Sequence, residues 1–310
     1  MQIRKGTQED LPQIIDLLRV SLGESFIPKS LQLWTWKHVE NPFGKSPILL
    51  AENENQLIGI RAFLRWEFVW KGKTLQACRA VDTAVHPEFQ GKGIFTQLTR
   101  QLIEQMKKEG IDLIFNTPNS KSTPGYLKMG WEKWNRLPVE MGFCFDSFLS
   151  VKKQALPSDW TSVELLVRQF ESQKESGQAI KTHARKGYIF WRYRDCPIFQ
   201  YQVVSDEKNY LLIYRIKENA WGKEFRICDF FISEDSSAAV LVNAKQALKS
   251  AIIHSGAKWI SQSGLLKNNL NLRLSATLPI GPWVTLREMK AEIQPASLPW
   301  AWSLGDLELF

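Results

Sequence analysis

The chain has 310 residues, more than one hydrophobic core usually serves, so two domains are expected. Hydrophobic residues make up 44% and charged residues 23%, a globular mix rather than a disordered one. No apolar run approaches the roughly 20 residues of a membrane helix. The net charge of +8 comes from scattered basic residues with no run of five. That speaks against a nucleic-acid-binding tail and suits an anionic ligand equally well. Cys78, Cys144, Cys196 and Cys228 show no metal spacing, so no metal is expected. They read as reduced thiols of a cytoplasmic protein, and the first residues carry no apolar signal core. Thirteen tryptophans read mainly as core or groove fillers, although Trp34, Trp36, Trp66 and Trp70 also suggest a sugar-binding wall.

In chain order, Ile3-Arg-Lys predicts a short edge strand. Thr7 or Asp10 caps a helix through Val20 that keeps Leu11, Ile14, Ile15 and Leu18 on one face. Leu31 to Val39 predicts a second helix. Ile48 to Glu52 and Leu57 to Phe63 predict strands around the polar turn Asn53-Glu-Asn55. Arg65 to Trp70 and Thr74 to Val85 flank Lys71-Gly-Lys73, a hairpin signal. The run Phe95 to Met106 carries Leu98, Leu102, Ile103 and Met106 at helical spacing. Gly110 is its natural C-cap, and Ile111 to Asn116 reads as the next buried strand.

The connection Val85-His-Pro-Glu-Phe-Gln-Gly-Lys-Gly-Ile94 therefore joins a strand to a helix through a Gly-containing turn. Such a turn points backbone N–H groups outward, and the helix N-terminus carries partial positive charge. Gly91 and Gly93 let the backbone approach a ligand closely, and Lys92 adds charge, so the turn suits a pyrophosphate. It is not a Walker loop, which ends in Gly-Lys-Ser/Thr. Nor is it the dinucleotide fingerprint, because Thr96 stands where the last Gly or Ala belongs. The bland alternative is a surface turn with ordinary turn glycines.

Gln90-Gly91-Lys92-Gly93-Ile94-Phe95 resembles the acyl-CoA loop Q/R-x-x-G-x-G/A of the GCN5-related N-acetyltransferases (GNAT), with Phe95 in place of the last small residue. Downstream, Asn119-Ser-Lys-Ser122-Thr-Pro-Gly125-Tyr126-Leu-Lys128-Met-Gly130-Trp131 is similar to the family's N-x-x-A-x-x-F-Y-x-K-x-G-F. Asn119, Tyr126, Lys128 and Gly130 match, while Ser122, Gly125 and Trp131 depart. The resemblance covers residues 2 to about 135. It implies an α+β, layered acyl-CoA N-acyltransferase fold with a mixed central sheet flanked by helices. It also implies acetyl-CoA as co-substrate and a primary amine as acceptor. By the same resemblance, a bulge at the end of the strand before the loop, Ala84 to His86, offers N–H groups to the acyl carbonyl and pantetheine, Val85 foremost. Tyr126 maps to the general acid that protonates the departing thiolate, and Asn119 contacts the cofactor or orders a water. The base stays open between Asp82 and Glu67, with fold roles as the alternative for each. His86 has a suitable ordinary pKa but lies in the loop.

The second half repeats features of the first. Trp36-Lys-His-Val-Glu-Asn-Pro42 parallels Trp191-Arg-Tyr-Arg-Asp-Cys-Pro197. Val81-Asp82 parallels Cys228-Asp229. Gly110 follows Asp82 by 28 residues, and Gly256 follows Asp229 by 27. A tandem duplication is expected, with an acetyltransferase domain at 1–150 and a degenerate, non-catalytic copy at 160–310. An unrelated α+β domain is the alternative. The linker is expected within Phe148 to Asp159. Where the second copy should have its loop stands Ser233-Glu234-Asp235-Ser-Ser237, which lacks glycines and carries two acids. The leading function is a CoA-dependent N-acetyltransferase acting on an amino sugar, small amine or peptide amine. The competing readings are a non-catalytic acyl-CoA-binding or regulatory protein and a nucleic-acid-binding module. No nucleic-acid or membrane partner is expected.

Overall fold

The structure is a computed structural model that describes residues 1–23, 27–144, 159–174, 177–220, 222–233, 236–266, 270, 272, 275–290 and 293–308. The expected linker up to residue 158 and the acidic pair Glu234 and Asp235 lie outside these residues.

The first half begins with strand β1 (Gln2–Lys5), helix α1 (Leu11–Leu22) and the short helix α2 (Leu31–Trp34), which runs into a π-helical turn at Thr35–Val39. Ile14, Ile15, Leu17 and Leu18 face the core from α1. Asp10 does not cap α1 with its side chain; its carboxylate takes Arg4 and the Thr7 backbone N–H instead. Strand β2 (Ile48–Asn53) precedes two long strands, β3 (Gln56–Trp70) and β4 (Lys73–Val85). The segments expected as two strands between Leu57 and Trp70 are thus one. Its hairpin turns at Lys71 and Gly72, both with positive φ. Helix α3 (Ile94–Lys108) then leads to β5 (Leu113–Asn116), helix α4 (Thr123–Lys128), β6 (Glu132–Arg136) and β7 (Val139–Phe143).

The second half runs through α5 (Glu164–Ser172), β8 (Lys181–Thr182), a π-helical turn at Phe190–Arg194, and strands β9 (Gln202–Ser205), β10 (Tyr210–Asn219) and β11 (Gly222–Ile232). Helix α6 (Ala238–Ser255), capped by left-handed Gly256, returns to β12 (Trp259–Ser263). Strands β13 (Ser275–Leu278) and β14 (Trp283–Glu288) and helix α7 (Leu304–Leu307) close the described chain.

Two mixed sheets result. The first has the order β1-β2-β3-β4-β5-β14-β6, with β8 added to β3; the second has the order β13-β7-β12-β11-β10-β9. In each sheet an amphipathic helix links a long strand to a parallel neighbour: β4 to β5 through α3, and β11 to β12 through α6. The sheets do not divide at the linker. Strand β7 from the first half pairs with β12 and β13, and β14 from the second half sits between β5 and β6.

The halves meet at a self-complementary contact. Trp36 and Trp191 stack 5.0 Å apart, and each indole N–H donates to the other's backbone carbonyl at 2.7 Å. Both lie in the two π-helical turns. This is the isologous pattern of a two-fold interface, here inside one chain. Around it one shared core contains Trp66, Phe68, Phe115, Tyr188, Trp300 and Trp302.

Candidate acyl-transfer site

Strand β4 pairs with β5 only at Ala77–Leu113, Cys78–Ile114 and Arg79–Phe115. Beyond Arg79, β4 continues along β3 to Val85 while β5 ends at Asn116, so a wedge opens between them. The register of β3 and β4 slips between Arg61 and Ala62, opposite Asp82, whose φ is +41°. The bulge therefore falls at Asp82 rather than at Ala84 to His86; Ala84 and Val85 stay in the ladder with β3. The His86 N–H bonds Ile58 O on β3, so by strand alternation the Val85 N–H points the other way, into the wedge.

The loop holds its shape by local chemistry. Gln90 donates its side-chain amide to Val85 O at 3.1 Å. Lys92 stacks its ammonium on the Phe89 ring. Gly91 and Gly93 adopt φ of +76° and +79°, and an added Cβ at either would meet open space. Non-glycine residues pay for this left-handed backbone, and bare glycines leave the N–H groups before Ile94 accessible to a large anion. The 15-residue helix α3 starts there. The residues fit an acyl-CoA pyrophosphate. His86 sets its ring edge to face with Phe89 and borders a separate hollow with Asp16, Leu17 and Glu54.

Phe95 and Tyr126 face each other across the wedge, with ring centroids 5.5 Å apart and edge to face. Tyr126 is buried and packs also on Trp131. Phe95 lies against Gly125, where a Cβ would come within 3.0 Å of its ring. The two departures from the family pattern are thus one exchange of volume: the ring missing at Gly125 is supplied by Phe95. Asn119 accepts from the N–H groups of Lys121 and Ser122, which fixes the start of α4. That is a positioning role for Tyr126.

The carboxylates are placed differently from expectation. Asp82 is held by Lys37 and His38, each at 2.8 Å. Burial alone would raise its pKa, but the Lys37 charge and the His38 hydrogen bond outweigh it and hold the carboxyl far below the usual range. His38 lies between Asp82 and Ser46 Oγ, and burial lowers its pKa. Such a carboxylate is a poor base and a good anchor for the π-helical turn. The second half has the matching link, Tyr193 to Asp229 at 2.9 Å. Glu67 binds His183 and Arg185. It pairs across from Gln76, whereas Val85 pairs across from Gly59. Eight residues of strand, roughly 26 Å, separate it from the loop end. Glu67 is out of reach of an amine at the wedge. The tryptophans form no sugar wall either. Trp34, Trp36 and Trp66 are core, and Trp70 donates to Gln178 O.

Two fully buried arginines, Arg61 and Arg79, lie outside both sequence motifs. Arg79 donates to Asp306 O and Leu307 O, which pins α7 against β4. Arg61 lies fully buried on β3, next to Tyr126. The available signal was a charge inside an otherwise apolar strand run.

Residues 2–134 match the family model for the acetyltransferase (GNAT) domain. The match assigns a GNAT acetyltransferase domain to the first half of the chain. No curated sequence matches the chain at a significant level. Among solved structures, a GCN5-related N-acetyltransferase from Anabaena variabilis superimposes with a TM-score of 0.68 at 14% identity, covering 93% of this chain and 73% of that one. Eis1 from Mycobacterium abscessus gives 0.63 at 15% identity, covering 94% and 75%. A GCN5-related N-acetyltransferase from Kribbella flavida gives 0.61 at 14% identity, covering 93% and 71%. The shared fold thus extends through both halves. Among the described residues no helix is long and apolar enough to cross a membrane, and no cluster of three or more His, Cys, Asp or Glu suits a metal.

Proposed function

We propose that the protein is an acetyl-CoA-dependent N-acetyltransferase that acylates a primary amine: an amino sugar, a small amine or a peptide amine. The observation that carries this reading is the wedge between β4 and β5, closed at its mouth by two left-handed glycines at the start of α3. In this reading Gly91, Lys92, Gly93, Ile94 and Phe95 hold the pyrophosphate through backbone N–H groups. The Val85 N–H polarises the acyl carbonyl, and Gln90 steadies Val85. Tyr126 gives its proton to the departing sulfur. Its hydroxyl has no hydrogen-bond partner among the described residues, so the proton is uncommitted. Water, rather than Asp82 or Glu67, takes the proton of the amine.

A bulky Phe95 in place of the loop's last small residue would favour the non-catalytic reading. Its packing on Gly125 removes that objection, because the ring replaces volume instead of adding it. The second half, 160–310, is a duplicated and degenerate copy of 1–150 in this proposal. The reciprocal tryptophan contact and the matched β4–α3–β5 and β11–α6–β12 units support it. Four buried cysteines outside any disulfide suit a reducing, cytoplasmic location. Calorimetric titration with acetyl-CoA, followed by an acceptor screen that reads released CoA, tests the function. One site per chain and turnover of an amine are expected; no binding at millimolar acetyl-CoA would refute it.

A further inference from the structure

Arg61 differs from the other buried arginines. Arg192 directs Nε and one Nη to Gly305 O and the other Nη to Tyr201 Oη, and Arg79 directs both Nη groups to oxygens. Arg61 is fully buried, donates one Nη to Thr83 Oγ1, and leaves Nε and the second Nη without a partner. No carboxylate among the described residues pairs with it. Its guanidinium lies instead 4.8 Å from the Phe63 ring centroid, 5.6 Å from Phe95 and 5.3 Å from Tyr126. Rings compensate a buried cation only in part, and an unpaired buried charge is strongly destabilising. The position is also under the first turn of α3, where the helix N-terminus adds positive charge. A fold gains nothing from this arrangement. It becomes favourable when negative charge arrives at the wedge.

We propose that Arg61 is a catalytic cation that stabilises the departing thiolate beside Tyr126. The proposal rests on the acyl-CoA reading above. In the transfer, the amine lone pair forms the C–N bond and the C–S bond breaks with its electron pair on sulfur. The Tyr126 hydroxyl gives its proton to that sulfur, and the proton lost by the amine returns to Tyr126 oxygen through water. Arg61 moves no proton. Its free N–H groups meet the charge while it is on sulfur, in surroundings of rings that exclude water, where such a contact acts strongly. The neutral thioester offers no such charge, so the stabilisation is specific to the leaving group.

The test uses the intact protein with CoA and desulfo-CoA, titrated calorimetrically between pH 7 and pH 10, a span that covers ordinary thiol ionisation near 8.5. In the wild type the ratio of CoA to desulfo-CoA affinity should rise at least about 5-fold across that span, because the thiolate form is preferred. Arg61→Met should flatten the ratio, and Arg61→Lys should keep part of the rise. With an acceptor in hand, Arg61→Met should lower kcat about 100-fold with little change in KM. Arg61→Met should also raise the melting temperature of the free protein, since it removes an unpaired buried charge. A flat ratio in the wild type would overturn the proposal. So would equal loss of CoA and desulfo-CoA affinity in Arg61→Met at every pH, which assigns the cation to pyrophosphate. Arg61-dependent binding of succinyl-CoA at least 10-fold tighter than acetyl-CoA would likewise overturn it, in favour of a carboxylate on the acyl group. Failure of both CoA and desulfo-CoA to bind the wild type would instead sink the acyl-CoA reading, and the proposal with it.

Discussion

Phe95 and Gly125 should be energetically coupled, and a double-mutant cycle measures the coupling. Phe95 is half-buried against Tyr126 and Gly125. Truncating a fully buried phenylalanine costs 3–5 kcal/mol, so Phe95→Ala should cost about 2 kcal/mol. Gly125 lies inside α4, in ordinary helical backbone, so a side chain there meets no backbone strain. The obstacle is the Phe95 ring, 3.0 Å from where a Cβ would stand. Gly125→Phe alone must push that ring aside, at about 1–3 kcal/mol for overpacking. In Phe95→Ala/Gly125→Phe the new ring takes the vacated space, and the loss of a helical glycine adds a few tenths in its favour. The double variant should therefore lose no more than about 1 kcal/mol, which leaves a coupling of about 2–4 kcal/mol. Urea denaturation followed by far-ultraviolet circular dichroism reads all four corners. Losses that add within about 0.5 kcal/mol would refute the volume exchange, and with it the argument that Phe95 leaves the wedge intact.

Tyr126→Phe should lower turnover by about 10²–10⁴ while acetyl-CoA affinity stays within about 2-fold; an unchanged kcat would remove Tyr126 from the chemistry. Acetyl-CoA at 100 times its Kd should stabilise the wild type by about 2.7 kcal/mol, and Gly93→Asp should abolish the melting shift by placing a Cβ and a negative charge in the cradle. A shift retained in Gly93→Asp would move the pyrophosphate elsewhere. Burial, then repulsion from Asp306, pushes the Asp229 carboxyl up to about 7, against about 3.9 in an unfolded chain. Between these values the folded state holds a proton that the unfolded state has lost. Its stabilisation is thus complete below about pH 4 and gone above about pH 7. Asp229→Asn should flatten the stability profile over that window, and superimposable profiles would count against the assignment.

The loop, α3 and the strand after Gly110 were legible because each is specified locally, by glycine position and helical spacing. The Asp229 strand and the Gly256-capped helix were legible by comparison with their counterparts in the first half, and the structure joins them as β11, α6 and β12. Register was not legible. Glu67 looks near the site when strands are read in order, but the pairing of Glu67 with Gln76 puts it at the far end. Phe95 and Gly125 read as two separate anomalies because they are far apart in sequence and only packing joins them. Arg61 and Arg79 read as ordinary strand charges, since nothing local tells a surface arginine from one sealed between layers. The exchange of β7 and β14 was hidden for a related reason: alternation reveals a strand and says nothing of its neighbour.

That exchange makes assembly an all-or-none affair. As the chain emerges from its N-terminus, β5 and β6 exist long before β14 can come between them. Until its final stretch is made, the sheet that carries the acyl-transfer wedge is split and exposes two raw edges, the kind of surface that recruits foreign strands. The second sheet is equally incomplete without β7. Expressed alone, either half would therefore be an aggregation hazard, and the long-range pairing of β5 with β14 predisposes the whole to slow folding.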